Sequence, residues 1–206
     1  MSESPWPVIH AERHALADDL SGLSNAQWRT QSQCGDWDVH QLLGHMLVTE
    51  TTTRAKFFAG LMSSGFSFEK MSHRAVAEAS AGGAEATVTA FRANADSKKS
   101  PPGPVDSWLG ETLIHGEDIR RPLGIAHTYP TDAVVRTLDF YKKSNLIVGA
   151  KKRIAGLTLR ATDADWSHGS GPLVEGPAMS LLQAMTGRKQ VLADLTGEGV
   201  DILRAR

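Results

Sequence analysis

The sequence is short of three things, and each shortage excludes something. It has one cysteine, Cys34, among 206 residues. No internal disulfide is possible, and nothing asks for an oxidising compartment. It has no apolar run of the length that spans a bilayer, and its acidic start, Met1 to Trp6, lacks the apolar core of a signal peptide. It also has no excess of either charge: 22 Lys and Arg face 23 Asp and Glu, a net charge of −1. That removes the electrostatic footprint of a nucleic-acid or anionic-membrane partner. Lys142-Lys143 and Lys151 to Arg153 are short basic runs and read as solvated faces. The expectation is a soluble cytoplasmic protein, monomer or homodimer, that works on small molecules.

What is there is enough for a real core, since 41% of residues are apolar. The first two-thirds reads as helices. Residues 7–20 have helical apolar spacing, and Ser24 to Gln27 has the form of a capping box. The loop Gln33 to Asp38 ends on an acidic N-cap candidate. From there the spacing predicts a helix from Val39 to about Gly60, with Val39, Leu42, Leu43, Met46 and Leu47 as its core stripe. Residues 69–96 read as one or two helices broken at Gly82-Gly83, and Ser97 to Pro104 as a loop. Further helices are expected from Asp106 to Arg121, stopped by Pro122 to Gly124, and from Asp132 to about Val148, capped by Thr131.

After Gly149 the texture changes. Gly156 to Thr162 alternates as a strand does, Leu173 to Glu175 suggests a second strand, and Val200 to Leu203 a last one. Gly176-Pro177 opens a helix carrying Leu181, Leu182 and Met185. The expected fold is mostly α, with an up-and-down four-helix bundle over 1–150 and a small C-terminal α/β domain over 151–206.

Glu111 and His115 stand four apart in Trp108 to Asp118, so one helix face presents both. A carboxylate and an imidazole so spaced can hold one metal ion, as two histidines do at i, i+4. On spacing alone the plainer reading is a surface pair worth a few tenths of a kcal/mol, roughly 0.2–0.5. Trp108, Leu109, Leu113, Ile114 and Ile119 make the helix apolar on several sides, which favours burial, and buried Glu and His need a partner or an ion. Asp118 could accept the other ring N–H of His115. His45 lies at the edge of the best amphipathic helix, where it is either a hydrogen-bonded core histidine or the third ligand. Two histidines and one carboxylate from two helices resemble other bundle metal sites and leave a coordination position open.

Other residues are weaker candidates. His10 and His14 form a rival i, i+4 pair on a polar face. His40, His73, His127 and His168 have no ligand-like companions in their local sequence. Cys34 reads better as a small buried group than as a nucleophile. Trp28 and Trp37 read as core anchors. Arg188, just past the C-terminal helix, either complements the helix dipole or clamps an anionic substrate.

Three stretches together resemble one family. CGDWDVHQLLGH, Cys34 to His45, is similar to the segment opening the metal-binding helix of the mycothiol-dependent maleylpyruvate isomerase family, among the wider DinB-like metal-binding bundles. ETLIHGEDIRRPLG, Glu111 to Gly124, resembles its second metal motif. LTLRATDADW, Leu157 to Trp166, and GPLVEGPAMSLLQAMTGR, Gly171 to Arg188, resemble its small C-terminal domain. Where the family usually has proline and glycine before the tryptophan, this chain has Gly35-Asp36.

The resemblance implies a zinc-type site at His45, Glu111 and His115, mycothiol as thiol cosubstrate, and Arg188 as a functional arginine. The expected activity is that of a mycothiol-dependent S-transferase or maleylpyruvate isomerase-like enzyme, in which the ion activates a small thiol for addition to an electrophile. A metal-dependent hydrolase and a non-catalytic metal-binding module are the alternatives. The loops Met62 to Phe68 and Ser97 to Pro104 are expected to shape the pocket.

Overall fold

The computed structural model describes residues 4–35, 37–145 and 148–206. Contacts divide the chain into two compact units, residues 1–127 and 128–206. This division comes earlier than the change of texture near 150, because the helix after Thr131 packs with the C-terminal elements.

The first unit contains α1 (Trp6–Asp19), α2 (Asn25–Trp28), α3 (Val39–Thr51), α4 (Arg54–Ser63), α5 (Phe68–Ser80), α6 (Ala84–Asn94) and α7 (Val105–Leu123). Helices α1 and α3 each pack against both α6 and α7, which closes a four-helix bundle, and α5 lies along α3. Leu16 of α1 and Leu20 at its C-terminal cap, the Val39 to Leu47 stripe of α3, Phe91 of α6 and Ile119 of α7 form its core. Each such side chain, fully buried, contributes roughly 1.5–3 kcal/mol.

Local chemistry sets the helix ends. Ser24 and Asp38 both make reciprocal capping boxes, with Gln27 and Gln41. The single helix expected from Val39 to Gly60 is two helices. Thr52 turns extended and the Thr53 hydroxyl caps α4 by accepting from the Lys56 N–H. Three consecutive threonines, each β-branched and able to bond backbone, favour that interruption. Gly83, at φ +85°, separates α5 from α6. Helix α7 keeps Pro122 in its last turn and stops on Gly124 in the left-handed region. Gly44 lets α3 and α5 approach closely, since a Cβ there would sit 2.4 Å from Ser80 Oγ.

A buried cation joins α1 to α7. Arg120, 1% exposed, donates from Nε to Asp19 Oδ2 at 2.7 Å, and its Nη1 lies 3.9 Å from Glu12 Oε2. Glu12 also meets His127 Nε2 at 2.8 Å. His127, isolated in the sequence, is thus part of a structural network.

The second unit holds α8 (Thr131–Tyr141), α9 (Ala150–Arg153), β1 (Thr158–Ala161), β2 (Ser167–Gly169), β3 (Leu173–Gly176), α10 (Ala178–Met185), a 3-10 turn (Gln190–Asp194) and α11 (Val200–Arg204). The sheet order is β2-β1-β3, with β1 antiparallel to β2 and parallel to β3. Helix α10 packs on α8 and on the sheet.

Three details depart from the sequence reading. Helix α8 starts after Pro130, with no side-chain cap from Thr131, and ends at Tyr141; Leu146 and Ile147 lie outside the described residues. Strand β2 is additional, and its short polar run carries little apolar alternation. Val200 to Leu203 is helical, burying Val200 and Leu203 three apart, where a strand would bury alternate residues. Among the described residues no helix is long and apolar enough to cross a membrane.

Candidate metal centre

Helices α3 and α7, adjacent in the bundle, bring His45, Glu111 and His115 together. One ligand atom from each lies within 4.8 Å of the others. His45 Nε2 is 3.7 Å from Glu111 Oε1, too long for a hydrogen bond. The two imidazoles stand edge to face, with ring centroids 5.2 Å apart. Glu111 Oε1 is buried without a hydrogen-bond partner. A buried carboxylate oxygen facing two imidazoles is a costly arrangement in water-free surroundings unless something cationic sits between them.

The electrostatics follow from burial and from the neighbours. Burial, aided by the charge of His115, pushes His45 down to about 3, so its ring is neutral and keeps a lone pair to donate. Burial also raises Glu111, against the opposing pull of His115, the Thr49 hydroxyl and Arg13. His115 behaves differently. Burial alone would lower it, yet hydrogen bonds to Asp118 and Cys34, with their charges, raise it to about 10. The Asp118 carboxylate, fully buried, meets His115 Nδ1 at 2.9 Å. This fixes the proton on Nδ1 and turns Nε2 away from that carboxylate, the arrangement typical of metal-ligating histidines.

A proline explains how the loop before α3 reaches this site. Pro122 has no N–H to give the carbonyl of Asp118, four residues back. That carbonyl accepts instead from the Gln33 N–H at 3.1 Å, which docks the 33–38 loop onto α7. Cys34 thereby reaches His115 and Asp118, and these three form a second cluster of metal-ligating side chains that shares His115 with the first. Nothing in the local sequence puts Cys34 beside a histidine; the signal is the proline four residues after Asp118. Trp37, in the same loop, packs its indole 4.8 Å from the His45 ring and also meets His73 at 5.9 Å. It is a brace for His45 as well as a core anchor. Asp36, at the position where the family has glycine, lies outside the described residues.

The remaining candidates lie elsewhere. His14 Nε2 approaches Asp96 Oδ1 at 3.1 Å, and His10 Nδ1 lies 3.9 Å from the same oxygen. His40 pairs with the Thr87 hydroxyl at 2.9 Å. His168 lies against Trp166. Arg188 belongs to the second unit; its guanidinium is buried, and Nη1 donates to the Thr186 carbonyl at 3.0 Å.

Comparison with known proteins agrees with this architecture. Residues 9–100 match the family model described as the mycothiol maleylpyruvate isomerase N-terminal domain. The matched segment spans less than half of the chain; it includes His45 and ends before Glu111 and His115. Two solved structures share the fold: a crystal structure of the mycothiol-dependent maleylpyruvate isomerase, and one of a histidine-to-alanine mutant of it. Each has a TM-score of 0.62 at 16% identity, covering 94% of this chain and 91% of its own. No curated protein matches.

Proposed function

We propose that the chain is a mycothiol-dependent isomerase or S-transferase whose His45, Glu111 and His115 hold a divalent ion, zinc by preference. One observation carries the reading: three half-buried donors converge, and the buried Glu111 Oε1 accepts no hydrogen bond. A two-nitrogen, one-carboxylate set suits zinc and leaves room for an exogenous group. Such an ion, when bound, supplies a Lewis acid that makes a thiol ionise at neutral pH.

The chain's own residues do the rest. His45 is neutral and offers a lone pair without first losing a proton. Asp118 holds the His115 Nδ1 proton and so leaves Nε2 as the ligating atom. Trp37 fixes the plane of the His45 ring. Glu111 contributes the negative charge that offsets the ion in a poorly hydrated site. Arg188, on the family resemblance, is proposed as a functional arginine able to grip a carboxylate, a role that Arg188→Lys would impair. Mycothiol is the proposed thiol partner, in keeping with the family model that residues 9–100 match and with the printed name of the enzyme that shares the fold.

The test is turnover of maleylpyruvate and of a halodinitrobenzene by zinc-loaded protein, with and without mycothiol. Mycothiol-dependent turnover of either is expected, and it should fall by at least about a hundredfold in His45→Ala, more than loss of an outer partner typically costs. Ester or amide cleavage without any thiol-dependent reaction would replace this reading with a hydrolase.

A further inference from the structure

His45 does more than face the metal centre. It also stands in the wall of a cavity of about 270 Å³ between α3, α4 and α5. That is nearly twice the roughly 150 Å³ cavity that takes up benzene in an engineered protein interior. Val48, Phe57, Phe68, Met71, Ala75 and Pro101 give it an apolar lining. Phe68 is half exposed and its ring meets that of Phe57, so the apolar wall continues to the mouth.

Three charged side chains share the lining, and two of them offset each other. Arg74 approaches Glu78 at 3.8 Å and donates to the Ser63 hydroxyl at 2.8 Å. Lys56 has no ion-pair partner among the described residues, and it starts on α4, a helix that buries nothing. One free ammonium beside an apolar chamber matches one anionic group on an apolar body. A compact dicarboxylate would leave most of this apolar lining without a partner.

We infer that the cavity beside His45 is the electrophile's subsite, and that it takes monoanionic molecules with an aromatic or medium-chain apolar body. This rests on the function proposed above, because the metal centre gives the cavity its reactive end. Lys56 holds the anionic group at the mouth, and the Phe57, Phe68 and Met71 side chains cover the apolar body.

Calorimetric titration of the intact metal-loaded protein tests it with three probes: decanoate, decanol and fumarate. Decanoate should bind at least tenfold more tightly than either of the others. Met71→Trp and Ala75→Leu, which fill the cavity from different positions, should each weaken decanoate at least tenfold while circular dichroism stays unchanged. Lys56→Glu should erase the preference for decanoate over decanol. Fumarate binding as tightly as decanoate overturns the inference, and so does unchanged decanoate binding in whichever filled variant is folded. The titration uses no thiol and no turnover. A protein that turns over with mycothiol but ignores decanoate refutes the subsite alone, and one that binds decanoate but lacks metal or thiol chemistry refutes the function alone.

Discussion

Helices α4 and α7 belong to the same unit and meet their surroundings differently. Helix α7 buries nine of its residues, among them Leu109, Leu113, Ile114 and Ile119, and is tied to α1 through Arg120. Helix α4 buries none and packs on α5, and around it Phe58, Met62, Phe66 and Phe68 stand exposed. Phe66 even adopts a left-handed backbone, φ +61°, that a bulky side chain rarely takes. The proposed metal ligands Glu111 and His115 sit on the first helix, and the cavity wall residues Lys56 and Phe57 on the second. Ligand geometry is set where packing is dense and rotamers are fixed. In the proposed subsite, substrate shape is set where little stability is at stake, so that region can vary without loosening the metal centre.

The largest expected effect breaks the dense side. Leu113, fully buried in α7, should cost about 2–5 kcal/mol of unfolding free energy as Leu113→Ala, read by urea denaturation.

Next comes the brace behind His115. Asp118→Asn keeps the shape but removes the charge, and should weaken metal affinity by roughly 10–100-fold. The pH dependence should move with it. His115 in the metal-free protein stays protonated up to about pH 10, so metal and proton compete for its Nε2. Wild-type affinity should therefore rise with pH across the neutral range, by about tenfold per unit for one displaced proton. In Asp118→Asn the rise should level off at a lower pH, because the ring loses its proton more easily. Competitive titration against a chelator at several pH values checks both.

A smaller effect lies at Glu50, at the end of α3. Its carboxyl is fully buried, neither oxygen accepts a hydrogen bond, and Arg13 Nε is 3.3 Å away. Burial, partly offset by Arg13, raises it from 4.5 to about 8. The folded state thus holds this proton more tightly than the unfolded one. Its contribution to stability is fully present below pH 4.5 and is lost as pH rises through about 8. Glu50→Gln should flatten that decline and exceed the wild type by roughly 1 kcal/mol or more at pH 9. Urea denaturation of both proteins at pH 5 and pH 9 measures it. The smallest effect sharpens the other side of the comparison: Phe58→Ala on α4 should change stability by no more than about 0.5 kcal/mol.

Much of the architecture was legible in the sequence, for identifiable reasons. Capping chemistry at Ser24 and Asp38, the stripe of α3 and the Gly82-Gly83 break are all local signals, and the structure contains each of them. The interruption at Thr52 was hidden because three threonines lower helix propensity only slightly. The last helix reads as a strand in the sequence because Val200 to Leu203 is too short for either period to show. At the site, the i, i+4 spacing of Glu111 and His115 was visible, and so was a place for Asp118. The approach of Cys34 to His115 was not, because it depends on a carbonyl released by Pro122 and a loop from a distant part of the chain. The cavity is not legible in the sequence either, although its walls use Phe68, the first residue of α5, and Pro101, which belong to the two segments expected to shape the pocket.

Whether His45, Glu111 and His115 form one metal centre is decided by elemental analysis of purified wild type and Glu111→Ala. The wild type should hold about one divalent ion per chain, and a still-folded variant less than about a tenth of that. A Glu111→Ala protein that keeps its full metal content, or a wild type that takes up none when zinc is supplied, would contradict a shared centre.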